Sequence, residues 1–192
     1  CVYVVEMMKV YYEVFGKGFT IYLTRVKKDG GTDYVSFAKD VLNEIKDMPI
    51  SFEVFSDDFG EMEKQARLIG SWGENVYIKI PVTNTKSENS YELIRKLSSD
   101  GLKLNITAIL TVKQVEEVIE AVSDKTKSII SVFAGRIADT GRDPVPYMKQ
   151  SAEIVKRNGN AELLWASSRE LLNIIQAEEC GCDIVTVTND II

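Results

Sequence analysis

The sequence predicts an α/β protein, a single (β/α)8 barrel domain over residues 1–192. Short apolar segments rich in β-branched residues alternate with amphipathic stretches, which is typical of βα units around a parallel sheet. From Glu53 to Ser167 the strands recur about every 26–31 residues, the length of one βα repeat. The alternative, a doubly wound open sheet, usually has a Gly-x-Gly-x-x-Gly loop after its first strand, and this sequence has none.

Eight segments have the length and composition of buried parallel strands. In chain order they are residues 2–5, 18–23, 50–54, 76–80, 104–109, 129–133, 163–166 and 184–187. Eight strands in a chain of 192 residues place the predicted barrel at the small end of its size range.

Most of the connecting stretches carry apolar residues at helical spacing, which predicts amphipathic helices. The predicted helices span residues 33–45, 59–71, 91–97, 112–122, 145–156 and 168–180. The sequence stops at Ile192, just after the eighth predicted strand, so we expect this chain to lack the final helix of the barrel. Another chain, or residues outside this sequence, would then cover the exposed apolar face, and we expect a homo-oligomer.

The composition of the chain argues against several classes of function. The net charge of −6 argues against a nucleic-acid partner, and no apolar run is long enough to span a membrane. Three cysteines without framework spacing indicate a reducing, cytoplasmic compartment. The sequence contains no histidine, so we expect no metal site at Cys180 and Cys182, and proton transfer would depend on carboxylates, lysine, tyrosine, hydroxyls or water.

Polar residues interrupt or directly follow five successive apolar strands. They are Glu53, Lys79, Asn105, Thr107, Ser131, Arg136, Ser167 and Arg169. Because the active site of such a barrel lies at the carboxyl ends of its strands, we expect these side chains to meet there. Each also has a structural interpretation: Glu53 and Lys79 could form a buried ion pair, and Arg136 could pair with Asp139 in a loop.

A buried lysine among such neighbours suggests Schiff-base chemistry. Desolvation lowers the pKa of a lysine, and the neutral amine can attack a ketone. The iminium that forms accepts electrons when a nearby carbon–carbon bond breaks. Glu53, with a water held by Thr107, could move the protons, while Arg136, Arg169 and Ser167 could hold a phosphate.

Four stretches together resemble the transaldolase family of class I aldolases, especially its short branch that includes fructose-6-phosphate aldolases. They are "ISFEVFSDDFGEMEKQARLIGSWGENVYIKIPVT", "LKLNITAI", "SVFAGRIADTGRDP" and "LLWASSRELLNIIQAEECGCDIVTVT". The lysine strand, the Asn-x-Thr strand and the Gly-Arg-Ile-x-Asp exit occur in the family's order. The resemblance is strongest from about Gly30 to Thr188.

The resemblance implies a role for each matching residue. Lys79 would form the Schiff base, and Glu53 and Thr107 would position the catalytic water. The substrate contacts would be Asn105, Ser131 and Phe133, and the phosphate contacts Arg136, Ser167 and Arg169. It further implies sugar-phosphate substrates, no metal or organic cofactor, and a place in pentose phosphate metabolism.

Two positions favour a transaldolase over an aldolase that releases the three-carbon ketone. The aldolases that this chain resembles carry glutamine at the position of Glu53 and tyrosine at that of Phe133. A tyrosine could protonate the enamine left after cleavage, whereas phenylalanine cannot. We therefore expect a transaldolase, with a fructose-6-phosphate aldolase-type lyase as the alternative.

The first two predicted strands depart from the family pattern. The asparagine that contacts the substrate in the family aligns with Tyr22, and the aspartate of the first strand is absent, with Glu6 the only nearby carboxylate. A catalytically silent barrel that serves assembly or binding is therefore a third hypothesis.

Overall fold

A computed structural model describes residues 34–188 and 191, together with the backbone of residues 19–21. Seven strands are present in these residues: β1 (Phe19–Ile21), β2 (Ile50–Glu53), β3 (Val76–Pro81), β4 (Leu104–Ile109), β5 (Ser128–Val132), β6 (Ala161–Trp165) and β7 (Ile184–Val185). Seven helices alternate with them: α1 (Tyr34–Glu44), α2 (Phe59–Gly70), α3 (Tyr91–Ser99), α4 (Val112–Ala121), α5 (Ala134–Asp139), α6 (Val145–Val155) and α7 (Leu172–Glu179).

The strands form one parallel sheet in the order β1-β2-β3-β4-β5-β6-β7. Sequential order with helices between neighbouring strands is the topology of a (β/α) barrel. The predicted fold class is therefore confirmed, as a partial barrel within the described residues. The predicted strand at residues 2–5, Glu6 and Tyr22 lie outside these residues. Residues 186–188, which follow β7, form no helix.

Apolar side chains on alternate strand positions divide into two clusters. The larger one lies between the sheet and the helices and includes Phe52, Ile78 and Trp165. The smaller one consists of Tyr77, Ile129, Leu164 and Ala166, with Phe133 and Ile184 packed against it. Because neighbouring residues of a strand point to opposite faces, the smaller cluster identifies the inner face of the sheet. Lys79, two residues after Tyr77, points to this inner face.

Local signals explain where several helices begin. Asp58 caps α2 by accepting a hydrogen bond from the backbone N–H of Glu61. Thr111 and Gln114 form a reciprocal capping box at the start of α4. These two helices begin at the predicted residues, Phe59 and Val112.

The structure differs from the predicted helices in two places. Helix α5 was not predicted, because six residues are too few to show a helical period. Helix α7 begins at Leu172, four residues after the predicted start at 168. The side chain of Asn173 accepts hydrogen bonds from the backbone N–H groups of Arg169 and Glu170. These bonds hold the exit from β6 in a turn before the helix begins.

Candidate active site

Lys79 lies on the inner face of β3 with only 5% of its surface exposed. In the strand register its Cα pairs with that of Glu53 on β2 and that of Asn105 on β4. The parallel sheet therefore brings together a lysine, a carboxylate and an amide from three successive strands, as predicted.

A cavity of about 230 Å³ opens beside Lys79. Its described lining consists of Lys79, Ser131, Phe133, Arg136, Leu164, Ala166, Ser167 and Thr186. The lining includes five of the predicted site residues: Lys79, Ser131, Phe133, Arg136 and Ser167. The other four, Glu53, Asn105, Thr107 and Arg169, do not line this cavity.

Asn105 connects to the cavity through a buried hydrogen-bond network. The Ser131 hydroxyl donates to Asn105 Oδ1 at 2.6 Å, and Asn105 Nδ2 donates to the Ser51 hydroxyl at 2.9 Å. The three side chains come from β2, β4 and β5. Ser51 was not among the predicted site residues, although the alternation rule for strands could have found it two residues before Glu53.

Thr107 lies on the inner face of β4, next to a β-bulge. Its Oγ1 atom is buried and has no hydrogen-bond partner among the described residues. The following residue, Ala108, has a positive φ of 61°, and the β4–β5 register shifts between Ile106 and Ile109. Bulges of this kind re-aim side chains near active sites, and a buried hydroxyl without a protein partner is a suitable place for an ordered water.

Burial raises the pKa of the Glu53 carboxyl above its usual range, and the charge of Lys79 opposes this rise. Glu53 ends β2 and is half-buried. The phenol of Tyr34 lies near its backbone and carboxylate, and burial also raises the pKa of Tyr34. A carboxyl with a raised pKa can both release and accept a proton closer to neutral pH, as a general acid or base must.

We expect the Glu53→Gln substitution to change the pH dependence of stability. The folded chain binds more protons than the unfolded chain between the unfolded glutamate pKa, about 4.3, and the higher folded value. The wild-type free energy of unfolding therefore falls as pH rises through this window. Glutamine removes the effect, so the variant should gain stability relative to wild type above pH ~4.3. Urea unfolding of both proteins between pH 4 and pH 7 measures this difference, and a difference that stays constant would contradict the expectation.

The two arginines predicted to bind phosphate differ in their contacts. Arg136 is exposed and lies over the ring of Phe133, with its guanidinium carbon 5.5 Å from the ring centroid. Arg169 forms a bidentate pair with Asp139: its Nε donates to Asp139 Oδ1 at 3.1 Å, and its Nη2 donates to Asp139 Oδ2 at 2.5 Å. This pair lowers the pKa of Asp139. The ion pair of Asp139 is thus with Arg169, whereas the sequence suggested Arg136, because β6 and α5 meet only in the tertiary structure.

Gly135 and Ser167 bring the exits of β5 and β6 into close backbone contact. The Gly135 N–H donates to the Ala166 carbonyl at 3.2 Å. A Cβ atom at Gly135 would lie 1.6 Å from the Ser167 carbonyl oxygen. Ser167 itself has a positive φ of 63°, a conformation that costs a non-glycine residue about 1 kcal/mol or more. The sequence analysis did not identify the role of Gly135.

The two cysteines in the described part of the chain, Cys180 and Cys182, have structural surroundings. Cys180 is buried in the larger apolar cluster, and Cys182 packs against it. Burial raises the pKa of Cys180, and it raises that of Cys182 to about 12, so neither is poised as a thiolate. Within the described residues, no three His, Cys, Asp or Glu side chains cluster as a metal site. No helix in the described part of the chain has the length and apolarity needed to cross a membrane.

Comparisons with known proteins show which family the sequence resembles. A family model described as transaldolase/fructose-6-phosphate aldolase matches residues 31–192. A probable transaldolase of Dehalococcoides mccartyi is 33% identical over 171 residues, which cover 88% of this chain and 76% of that protein. A probable transaldolase of Streptococcus agalactiae is 35% identical over 153 residues, which cover 78% of this chain and 67% of that protein. A probable transaldolase of Methanococcus maripaludis is 30% identical over 176 residues, which cover 91% of this chain and 77% of that protein.

Proposed function

The chain belongs to the transaldolase/fructose-6-phosphate aldolase family, and from this premise we propose that it is a transaldolase that uses Lys79 as its Schiff-base residue. It would transfer a dihydroxyacetone unit from a ketose phosphate to an aldose phosphate. The observation that carries the proposal is the position of Lys79, buried on the inner face of β3 and lining a cavity with polar residues from β5 and the β6 exit.

The reaction begins with attack of the Lys79 Nζ lone pair on the ketone carbon of the donor. The resulting carbinolamine loses its hydroxyl as water and becomes an iminium. The bond between the next carbon and the hydroxyl-bearing carbon after it then breaks. The hydroxyl proton passes to a base, the hydroxyl carbon leaves as an aldehyde, and the electron pair neutralises the iminium to an enamine. Attack of this enamine on the acceptor aldehyde and hydrolysis of the new iminium complete the transfer.

Glu53 is the proposed acid and base of these steps. It is the carboxylate whose Cα pairs with that of Lys79 in the strand register, and burial raises its pKa. The uncommitted hydroxyl of Thr107 would hold the water through which Glu53 exchanges protons with the substrate. Positioned acid–base groups of this kind contribute roughly 10² to 10⁴ to a rate.

Arg136, Ser167 and Arg169 form the proposed phosphate subsite. Arg136 and Ser167 line the cavity. Arg169 lies at the neighbouring strand exit, where Asp139 engages its Nε and Nη2 atoms. The remaining N–H groups of its planar guanidinium can still donate to a phosphate oxygen.

The cavity lining favours transfer over release of the three-carbon unit. Release of dihydroxyacetone requires protonation of the enamine carbon. The described lining contains no carboxyl, tyrosine or cysteine, and Phe133 occupies the position where an acidic phenol could stand. The enamine therefore meets no phenol among the described lining residues and can wait for an acceptor aldehyde.

An assay of fructose 6-phosphate cleavage, with and without erythrose 4-phosphate, tests the proposal. We expect glyceraldehyde 3-phosphate to form steadily only when the acceptor is present, because the enamine needs an aldehyde to leave Lys79. Strong turnover without the acceptor would identify an aldolase-type lyase instead. A folded protein with no turnover in either assay would favour the catalytically silent barrel.

A further inference from the structure

The inner face of the sheet holds a buried hydrogen-bond network in which Ser131 donates to Asn105 and Asn105 donates to Ser51. Ser131, Asn105 and Ser51 are 2%, 1% and 4% exposed, so the network is shielded from bulk water. Ser131 donates its only hydroxyl proton to Asn105 Oδ1, and Asn105 Nδ2 donates to Ser51 Oγ. A buried network of this type holds its members in one arrangement.

The donors and acceptors that remain determine what the network can offer a ligand. Ser131 lines the cavity, and because its proton is committed, its oxygen can only accept a hydrogen bond. Asn105 does not line the cavity and acts on a ligand through Ser131, whose proton its Oδ1 accepts. A ligand hydroxyl suits Ser131, because it can donate its proton to the Ser131 oxygen. A ligand oxygen without a hydrogen cannot.

We propose that Ser51 is a positioning residue of the active site, which holds the Asn105 amide so that Ser131 keeps its hydroxyl proton on Asn105 and accepts a hydrogen bond from one hydroxyl of the transferred dihydroxyacetone unit. This inference rests on the proposed function, in which the transferred dihydroxyacetone unit is bound to Lys79 in the cavity that Ser131 also lines. Ser51 acts through Asn105 and is not itself a lining residue of the cavity. Without its oxygen, the amide loses the acceptor that selects its rotation, and a misplaced contact lowers the rate.

The Ser51→Ala variant removes this acceptor, and Ser128→Ala is its matched control. Ser128 is on β5 and equally buried, but its hydroxyl has no partner among the described residues. With fructose 6-phosphate and erythrose 4-phosphate, we expect Ser51→Ala to lower kcat/KM by roughly 10- to 100-fold, the effect of losing one partner of a buried hydrogen bond. Ser128→Ala should stay within about threefold of wild type, because no hydrogen bond is lost.

Substrate analogues separate positioning from general damage. Fructose 6-phosphate analogues that lack the hydroxyl on carbon 1 or on carbon 3 each remove one hydroxyl of the transferred unit. With one of the two, wild type and Ser51→Ala should react at similar rates, because the group that Ser51 helps to recognise is gone; with the other, the full loss should remain. Equal losses with both analogues would overturn the proposal, because a purely structural defect ignores the substrate.

Two further measurements keep the result interpretable. Should Ser51→Ala be unfolded at the assay temperature, Ser51→Cys replaces it, since a thiol of similar size is only a weak acceptor; it should show the same analogue dependence with a smaller loss. Borohydride trapping of the wild type with fructose 6-phosphate tests the proposed function separately. A wild type that forms no adduct on Lys79 overturns both proposals. If the wild type is trapped and active and Ser51→Ala has the same kcat/KM, only the proposal for Ser51 is overturned.

Discussion

Lys79→Met is expected to abolish turnover, lowering kcat on the order of 10⁵-fold, as loss of a covalent nucleophile does in other enzymes. Methionine has a similar length and fills the buried site on β3 without a nitrogen. No other described residue that lines the cavity carries an amine. Borohydride reduction in the presence of fructose 6-phosphate should attach the three-carbon unit to Lys79 in the wild type and leave the variant unmodified, as read by peptide mass analysis.

The loss should not come from unfolding. Because the charge of Lys79 acts on the half-buried Glu53, and losing one partner of a buried pair destabilises a protein, the assay temperature is set well below the measured melting temperature of Lys79→Met. Lys113→Met is the matched control, because Lys113 lies on the exposed face of α4, where its ion pair among the described residues is with Glu117 at 3.8 Å; it should keep full activity. A Lys79→Met protein that still transfers the three-carbon unit would refute the Schiff-base mechanism.

Gly135→Ala is expected to cause a large loss of stability and to damage the cavity. The added methyl group would meet the Ser167 carbonyl oxygen at 1.6 Å, and backbone cannot rotate away as a flexible side chain can. Overpacking of this kind costs about 3 kcal/mol, which corresponds to a fall in melting temperature of roughly 6–12 °C for a chain of this size. Calorimetry measures the shift directly.

Gly159→Ala is the control for this substitution. Gly159 has no heavy atom within 4 Å of the added Cβ position and has no positive φ, so its melting temperature should change little. Because Gly135 precedes Arg136 and Ser167 lines the cavity, Gly135→Ala should also weaken binding of phosphorylated donors. If Gly135→Ala is as stable as Gly159→Ala, the expectation is wrong, because the exits of β5 and β6 can then move apart at little cost to make room for the methyl group.

The fold could be predicted because its signals are local. Strands β2 to β5 and helices α2 and α4 were predicted to within a residue or two at each end, since strand composition, helical period and capping residues lie within each segment. The prediction missed α5, which is shorter than two helical turns, and began α7 too early at 168. There a side chain, Asn173, holds the turn that precedes the helix.

The candidate site could be predicted in its residue types but not in its contacts. Polar residues in apolar strands identified Lys79 and the cavity residues Ser131, Arg136 and Ser167, because burying such groups is costly without a partner or a function. The same pattern did not identify Ser51, whose hydroxyl joins the network only through Asn105. It also left open an Arg136–Asp139 pair as a structural alternative, and in the structure Asp139 pairs with Arg169.

The sequence by itself determined that βα units repeat, which face of each strand is polar, and which family the motifs resemble. The repeat and the polar positions follow from the two-residue period of a strand and the 3.6-residue period of a helix, which are properties of short segments, whereas the resemblance rests on the motifs themselves. Only the tertiary structure decided which strand ends touch. The stagger of parallel strands sets Asn105 between Ser51 and Ser131 and presses Gly135 against Ser167. That stagger arises from the packing of the whole sheet, and no single segment encodes it.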